Sequence, residues 1–508
     1  MHARLAILFV LGAGCSPQPP PAQALVWARG ADSTSLDPAE LEWLEDIKVT
    51  YSLYETLLSF KEGSVELEGR LAQSWSVAQD GLTCRIQLRS GVKFHDGTPL
   101  TADSVVFSFE RVLRPDHPHR PRAVPYAANF SDIEGVEPDG ANDVVFTLKN
   151  PSAIFLYTLT LPAASIVSPA SLRKQGSKLA AEPCGTGPYR LSRWDRDVRI
   201  VLDRFEDYWG PKPTFPRIIV VPVGSPQTAV QKLKKGEVHV VDHPSLGDVK
   251  ALEEDPSTRV SAGTSMNVCY LGFNLKRCPY SDPHFRRAVS LALDRRGLND
   301  LAYHGLAEPA SNLVPPLIWR DLCPTPPYEC DLDRAKAELA KVHPQAGEVE
   351  LIYMTFPRHY MPEPDRVAEF VKDRLGKIGL KVKLTAYDKA AYTVKMKEEG
   401  HPMYLYGWTA DYPDPDNFYF TLLHGDNAGD LNGSYFNDPE FNDAVRKAQR
   451  EIDPARRNAL YAKAYARYRD ELPTLPLVHL AQRVGLSRSV TYPLHPIEIR
   501  FYSAKFTN

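Results

Sequence analysis

The 508-residue sequence has almost no net charge, and it lacks the motifs typical of nucleotide or hydrolytic chemistry. Lysine and arginine number 60 against 63 aspartate and glutamate residues, a net charge of −3. This balance gives no indication of a nucleic-acid or membrane-surface footprint. There is no phosphate-binding Walker loop, no Gly-x-Ser-x-Gly elbow and no His-Glu-x-x-His helix. The absences exclude a P-loop NTPase and argue against the common serine hydrolases and zinc peptidases.

One pattern comes close to a zinc-hydrolase signature. His239 and His243 are separated by three residues, the last of which is Asp242. Zinc chemistry of that kind needs both histidines on one helical face. The valines between and before them, followed by Pro244, instead predict a strand that ends in a turn. No metal ligand and no cofactor is therefore predicted. A secreted hydrolase remains only as the last of three functional hypotheses, and the other two are given below.

Apolar runs are also scarce, and the only one of interest is at the N-terminus. Arg4 and the apolar run 5–11 precede three small residues and Cys15, as in a signal peptide spanning residues 1–15. Small residues before a cysteine resemble a bacterial lipobox, which predicts lipidation of Cys15 and a Pro-rich tether over 16–24. Gly12 stands where that motif usually has an aliphatic residue, so a secreted soluble form is the alternative. No other run of about 18 apolar residues predicts a membrane span.

The chain has seven cysteines. If Cys15 carries lipid, six remain in an oxidising compartment. Two pairs are close enough in sequence to close small loops, and they are the candidate disulfides: Cys269 with Cys278, and Cys323 with Cys330. Cys84 and Cys184 are left unassigned.

The sequence from 348 to 384 predicts a parallel β-α-β unit. Residues 349–353 alternate as a strand, apolar residues between 367 and 378 line one helical face, and residues 380–384 begin a second strand. A crossover of this kind implies an open α/β sheet. At this length the chain also exceeds the ~250–300 residues that one core can serve, so two or more lobes are expected. Ligands of open α/β sheets bind beyond the carboxyl ends of the strands, and Arg358 and Asp411 follow predicted strands.

Residues 71–112 read as strand, strand and helix, and they carry the sequence Gly-Val-Lys-Phe-His-Asp-Gly at 91–97. This block resembles the signature region of the solute-binding proteins of ABC transporters that import oligopeptides, dipeptides and related solutes. Further matches follow in order along about residues 25–500. They lie at 35–38, 185–189, 208–210, 270–274, 287–289 with 294–295, and 407–411.

The resemblance implies an α/β fold of the two-lobed periplasmic-binding-protein type (type II, cluster C), with an extra domain inserted in the first lobe. Lobe I would comprise residues 25–55, 183–267 and 483–508. The inserted domain would span 56–182, and lobe II would span 268–482. The chain would cross between the lobes near 265–270 and near 481–486, which gives a hinge.

The resemblance also implies the two charged groups of the site. Asp411 matches the family aspartate, in the segment 407–418, that pairs with the ammonium of a peptide ligand. Arg358 matches an arginine that binds a ligand carboxylate, a task that suits a planar guanidinium. The alternatives are a turn aspartate and a loop arginine that pairs with Glu363 or Asp365.

Five further residues complete the predicted site. Trp408 and Tyr404 would form aromatic walls, although ordinary core packing explains them equally well. Tyr270, Gly272 and Asn274 lie beside the first crossing and could offer backbone groups to a bound peptide strand; a packed hinge strand is the alternative.

The predicted function is therefore that of an extracytoplasmic receptor that captures peptides and passes them to an ABC permease. Because this chain has no Walker sequence, the ATPase subunits would be separate chains. The receptor would be a monomer in the periplasm or on the outer face of the cell membrane, anchored as a lipoprotein through Cys15, with no nucleic-acid partner. A second alternative keeps the fold but binds another solute, such as a metal chelate, an oligosaccharide or an opine-like compound.

Overall fold

The computed structural model describes residues 24–41, 43–176, 178–319, 329–343 and 347–507. The predicted signal peptide with Cys15, nearly all of the tether, and Cys323 lie outside the described residues. The described part is an α/β structure with three large sheets. No helix in it is long and apolar enough to cross a membrane.

Strands and helices are distributed along the whole described chain, and they alternate most regularly from β15 to β17. The strands are β1 (Ala24–Arg29), β2 (Leu58–Phe60), β3 (Leu67–Gly69), β4 (Ala72–Val77), β5 (Thr83–Leu88), β6 (Ile133–Asp139), β7 (Asp143–Leu148), β8 (Tyr189–Asp195), β9 (Arg199–Arg204), β10 (Arg217–Pro222), β11 (Val240–Asp242), β12 (Thr258–Ala262), β13 (Asn267–Gly272), β14 (Ala307–Pro309), β15 (Glu348–Met354), β16 (Lys381–Tyr387), β17 (Met403–Thr409), β18 (Thr474–Leu480), β19 (Arg483–Ser487), β20 (Val490–Thr491) and β21 (Lys505–Phe506). The α-helices are α1 (Leu44–Leu53), α2 (Ala102–Leu113), α3 (Phe155–Thr158), α4 (Pro169–Gln175), α5 (Pro226–Lys234), α6 (Val249–Glu254), α7 (Pro283–Ala292), α8 (Arg295–Ala302), α9 (Pro316–Trp319), α10 (Leu332–Leu339), α11 (Pro364–Gly376), α12 (Lys389–Met396), α13 (Asp416–Leu423), α14 (Pro439–Arg450) and α15 (Pro454–Glu471).

Each large sheet draws on a different part of the chain. The first has seven strands in the order β12-β19-β11-β1-β10-β9-β8, and the second has six in the order β14-β18-β13-β17-β15-β16. The third is the four-stranded antiparallel sheet β4-β5-β7-β6. Strands of the third sheet all fall between β1 and β8, so it is an insertion between strands of the first sheet.

The block at 71–112 forms β4, β5 and α2, as its pattern predicts. Cys84, Ile86 and Leu88 are the buried positions of β5 and alternate with more exposed ones. Helix α2 turns Val105 and Phe109 toward the same core. The apolar periodicities of two and of three to four residues therefore bury one face of each element.

The predicted β-α-β unit is confirmed. Strands β15 and β16 pair in parallel from Glu348 with Lys381 to Met354 with Tyr387. Helix α11 connects them and buries Val367, Val371 and Leu375. Gly379, at φ +92°, makes the turn into β16, a backbone conformation that glycine adopts without strain.

Both faces of the second sheet are covered. Alternate residues of β13 and β17, such as Leu271 and Leu405, join the core beneath α7, α8, α10 and α11. The intervening residues, such as Tyr270 and Tyr404, join a second core beneath α13, α14 and α15. This double cover explains the nearly continuous apolar sequence of these strands.

The chain passes twice between the first and second sheets. Strand β12 ends in the first sheet and β13 begins in the second, and β18 of the second sheet is followed directly by β19 of the first. The two connections, 263–266 and 481–482, are joined by a hydrogen bond from Gly263 N to Gln482 O at 2.8 Å. Next to these connections, at the edge of the second sheet, the side chain of Asn267 at the start of β13 both donates to and accepts from the backbone of Leu480 at the end of β18. Paired connections of this kind form a hinge between two lobes.

The predicted bridge between Cys269 and Cys278 is wrong, because both are free thiols. Cys269 lies in the middle of β13, where burial raises the pKa of its thiol to about 12, and Cys278 is exposed in the loop before α7. Cys330 is also a free, exposed thiol, and its candidate partner Cys323 lies outside the described residues.

The zinc-like histidine pattern folds as a strand, as predicted. His239 directly precedes β11 and its Nδ1 accepts a hydrogen bond from Val26 N at 3.0 Å. Across the described ranges, no group of three or more His, Cys, Asp or Glu side chains could hold a metal ion.

Candidate ligand-binding site

The two predicted charged residues lie at the same edge of the second sheet. Strands β15 and β17 are parallel neighbours, with Ile352 opposite Tyr404. Arg358 follows the end of β15 by four residues, and Asp411 follows the end of β17 by two. Because parallel strands share a carboxyl edge, both loops emerge there. The start of β13 is at the same edge, with Asn267 opposite Thr409, so this edge faces the hinge.

Asp411 is partly buried and receives only neutral hydrogen-bond donors. Tyr126 OH donates to Oδ1 at 3.1 Å, and Asn417 Nδ2 approaches Oδ2 at 3.4 Å. No lysine, arginine or histidine of the described residues forms an ion pair with it. Burial raises the pKa of the Asp411 carboxyl, and the two hydrogen bonds only partly oppose that rise. Asp411 is therefore a carboxylate that lacks a compensating cation.

Asn417, in the first turn of α13, holds the loop that carries Asp411. Its Oδ1 accepts hydrogen bonds from Trp408 Nε1 at 2.9 Å and from Asp411 N at 3.1 Å. Asn417 is itself buried. Trp408 is half-buried at the edge of the sheet, so one amide fixes both the carboxylate and the neighbouring aromatic wall.

The other two acids of the loop have structural partners. Asp414 forms a buried bidentate ion pair with Arg457, whose Nη2 donates to Oδ1 at 2.8 Å. Asp416 accepts from Tyr412 OH at 2.9 Å, and burial raises its pKa to about 6. Asp411 is thus the one acid of this loop that faces only neutral groups.

Arg358 also lacks a partner of opposite charge. Its backbone forms a tight turn with Met361, and its guanidinium carbon is 5.8 Å from the centre of the Tyr360 ring. The alternative of a pair with Glu363 or Asp365 is wrong. Glu363 pairs with His304 and Arg366, and Asp365 accepts from Tyr353 OH at 2.8 Å. Within the described part of the chain, no carboxylate forms an ion pair with Arg358.

Tyr404 belongs to the packed core, whereas the aromatic side chains further along the strand are more exposed. Tyr404 is 1% exposed, and its ring lies directly over Gly272, where an added Cβ would come 2.1 Å from Tyr404 Cζ. Tyr406, which was not among the predicted site residues, is partly exposed, and its ring stacks on that of Tyr392 with centroids 6.0 Å apart. Tyr406 and Trp408 are therefore the better candidates for aromatic contact with a ligand.

The expectation that Tyr270, Gly272 and Asn274 offer backbone groups to a ligand is corrected. Strand β13 lies between β17 and β18, and Gly272 pairs with Tyr404 on one side and Thr474 on the other. The backbone groups of an inner strand are used by the sheet. Asn274 is fully buried and donates to Glu399 O and His401 O, so it ties down a turn.

Tyr126 is the site residue that sequence reasoning missed. It lies in the insertion, 285 residues before Asp411. The same two regions also meet where Tyr157 stacks on Tyr412 at 6.3 Å and where Ala153 N donates to Gln449 O at 2.9 Å. No pattern around Tyr126 predicts this contact. Asn417, in contrast, lies within the motif at 407–418 and could have been selected from it.

Two lobes joined by a double hinge, with unpaired charges at the sheet edge between them, define a binding protein that encloses a small solute. A model of the family described as "Bacterial extracellular solute-binding proteins, family 5 Middle" matches residues 66–430. The chain belongs to this family. It is therefore an extracytoplasmic solute-binding protein.

Individual relatives agree with this assignment. The chain is 32% identical to Di/tripeptide-binding protein 2 of Pseudomonas aeruginosa (strain UCBPP-PA14), over 89% of each chain. It is also 32% identical to Heme-binding protein A of Haemophilus influenzae, over 86% of this chain and 83% of the relative. The solved structure of the periplasmic binding protein DppA from Helicobacter pylori, in complex with the peptide STSA, superposes with a TM-score of 0.83. It is 31% identical and covers 95% of this chain and 98% of that one.

Proposed function

We propose that this protein is the peptide-binding component of an ABC importer. The observation that carries the proposal is the pair of uncompensated charges, Asp411 and Arg358, on one edge of one sheet. A free peptide is a zwitterion whose ammonium and carboxylate are its only sequence-independent charges. The carboxylate of Asp411 suits the ammonium, and the guanidinium of Arg358 suits the carboxylate.

The relatives support a peptide ligand and also define the alternative. One relative is named for di- and tripeptides, and one similar structure holds a peptide. Another relative, equally similar, is named for heme. The competing proposal is therefore the same fold with a non-peptide solute that carries an acidic group for Arg358. A receptor of either kind needs no catalytic step, and we propose no enzymatic activity.

The remaining parts of the proposal concern delivery. Residues 1–15 would direct export, Cys15 would carry lipid, and residues 16–24 would hold the body away from the membrane. The first lobe would comprise 25–55, 183–267 and 483–508, the insertion 56–182, and the second lobe 268–482. The monomeric, loaded receptor would then dock on permease subunits that have separate ATPase subunits.

Native mass spectrometry of the gently purified protein tests the proposal directly. Co-purified masses that fragment as peptides would support it. The protein is then unfolded, freed of ligand and refolded, and di-, tri- and tetrapeptides are titrated by calorimetry. Micromolar or tighter binding of peptides with both ends free is expected. A bound metal complex, heme, sugar or opine, with no peptide binding after refolding, would overturn the proposal.

A further inference from the structure

Two histidines, one from each lobe, have their rings in contact next to the proposed ligand carboxylate site. His243 follows β11 of the first sheet, and His359 directly follows Arg358. Their ring centroids are 3.9 Å apart with an angle of 41° between the planes. Three residues beyond His243, Leu246 is buried in the core of the second lobe. The segment that carries His243 is therefore docked on the second lobe.

The groups that face each histidine differ in charge. His243 faces Asp242, with Nε2 3.3 Å from Oδ1, and it also faces Lys48 and Glu45 of α1. Lys48 is buried and is shared between Glu45 at 2.8 Å and Asp242. Among the described residues, the charged or titratable groups acting on His359 are His243, Lys48 and Arg358. All three are cationic or become cationic on protonation.

Neutral rings suit this environment, and charged rings do not. Burial lowers the pKa of His243, and burial together with the three neighbouring basic groups lowers the pKa of His359 well below its ordinary value. Protonating His359 would place a buried cation against Arg358 and Lys48 without a carboxylate of its own. With centroids 3.9 Å apart, the two rings would repel each other if both were charged, so protonation of one lowers the pKa of the other and they titrate as a coupled pair.

We propose that the His243–His359 pair is a proton-sensitive contact between the lobes, so that acidification opens the protein and releases its ligand. The ligand in this inference rests on the function proposed above. The direction follows from linkage. When the lobes separate, each ring is hydrated and regains a pKa near its ordinary value of about 6.5. The closed form is thus fully favoured above that pH and loses stability as pH falls below it.

The dipeptide Met-Leu is the probe for the first test. Its dissociation constant is measured by calorimetry at pH 7.5 and pH 5.5 for the wild type, for the double variant His243→Gln with His359→Gln, and for His284→Gln. His284 is a histidine of the second lobe that pairs with Glu338, and it serves as the matched control. For each histidine that takes up a proton when the lobes open, the affinity falls by up to about tenfold per pH unit below the pKa of the open form.

The expected result is at least tenfold weaker binding at pH 5.5 for the wild type and the His284 variant. The affinity of the double variant should fall no more than about threefold. Asp411 accounts for this remaining loss, because its raised pKa also weakens binding in acid. Calorimetry near pH 6 in buffers of different ionisation enthalpy should show proton release on binding by the wild type and the His284 variant, and little or none by the double variant. Equal pH dependence in all three proteins would overturn the inference.

A second measurement separates this inference from the proposed function. Small-angle scattering of the ligand-free protein at pH 7.5 and pH 5.0 reports lobe separation without any peptide. Expansion in acid for the wild type, and not for the double variant, supports the histidine contact even if Met-Leu fails to bind. Unchanged dimensions, or the same expansion in the double variant, would contradict it. Thermal unfolding at pH 7.5 checks that each variant is folded.

Discussion

Replacing Asp411 by Asn should abolish most of the affinity for a peptide ammonium. The amide keeps the size of the side chain and still offers an oxygen to Tyr126 OH, which lies 3.1 Å from Oδ1. What it removes is the negative charge. Among the described residues, no other charged side chain forms an ion pair at this position. The lost negative charge is therefore not replaced.

The magnitude follows from the burial of Asp411. An exposed ion pair contributes about 0–1 kcal/mol, whereas truncating one partner of a buried, hydrogen-bonded pair costs about 2–5 kcal/mol. Asp411 is partly buried, and its surroundings are close enough for burial to raise its pKa. A value in the lower half of the second range, about 3 kcal/mol, corresponds to about 150-fold weaker binding.

Calorimetric titration with a matched pair of peptides isolates the effect. A dipeptide with a free amino end is compared with its N-acetylated form, for both the wild type and Asp411→Asn, which gives a double-mutant cycle. The substitution should weaken binding of the free dipeptide about 150-fold and change binding of the acetylated form by less than about threefold. Equal losses for the two peptides would show that Asp411 supports the fold of the loop, and no loss would remove it from the site.

Three further outcomes are expected. Arg358→Met should weaken binding of dipeptides with a free carboxyl end by about 100-fold and should barely affect C-amidated ones, since a guanidinium that binds a carboxylate typically contributes a few kcal/mol; equal effects on both would refute its role. Tyr126→Phe should raise the pKa of Asp411 further, because the phenol hydrogen bond favours the ionised form; the dissociation constant should therefore increase more at pH 5.5 than at pH 8, and a parallel shift at both would be contrary to this reasoning. Asp414→Asn should lower the free energy of unfolding in urea by about 3 kcal/mol, because it breaks a buried ion pair with Arg457; a loss below about 1 kcal/mol would show that solvent replaces the pair.

Local sequence patterns correctly predicted the strands and helices that bury one face. The β-α-β unit of β15, α11 and β16 follows from the spacing of its apolar residues. This spacing places them on one face of each element, and burial of that face against the sheet or helix stabilises the unit. In the same way, the valines after His239 predicted strand β11. The predicted disulfide between Cys269 and Cys278 failed because closeness in sequence does not fix the direction of a side chain. One thiol points into a core and the other lies in an exposed loop.

The site residues divide along the same line. Asp411 and Arg358 could be selected because each follows a strand whose type was evident, and family motifs matched them. Tyr270, Gly272 and Asn274 could not be judged, because a strand's backbone is free or used depending on its neighbours in the sheet. Here β17 and β18 flank β13. Asn417 lies within the motif at 407–418 and could have been selected from it. Its hydrogen bonds, however, depend on the position of the first turn of α13.

The sequence by itself determined the family, the α/β class and the two charges that a zwitterionic ligand would require. These rest on local periodicity and on motifs that are contiguous in the chain. Only the tertiary structure decided which charges remain uncompensated, which strand is flanked on both sides, and that Tyr126 and His243 reach residues of the second lobe. Those contacts join positions more than 100 residues apart, and their energies depend on burial and on neighbours that packing alone brings together.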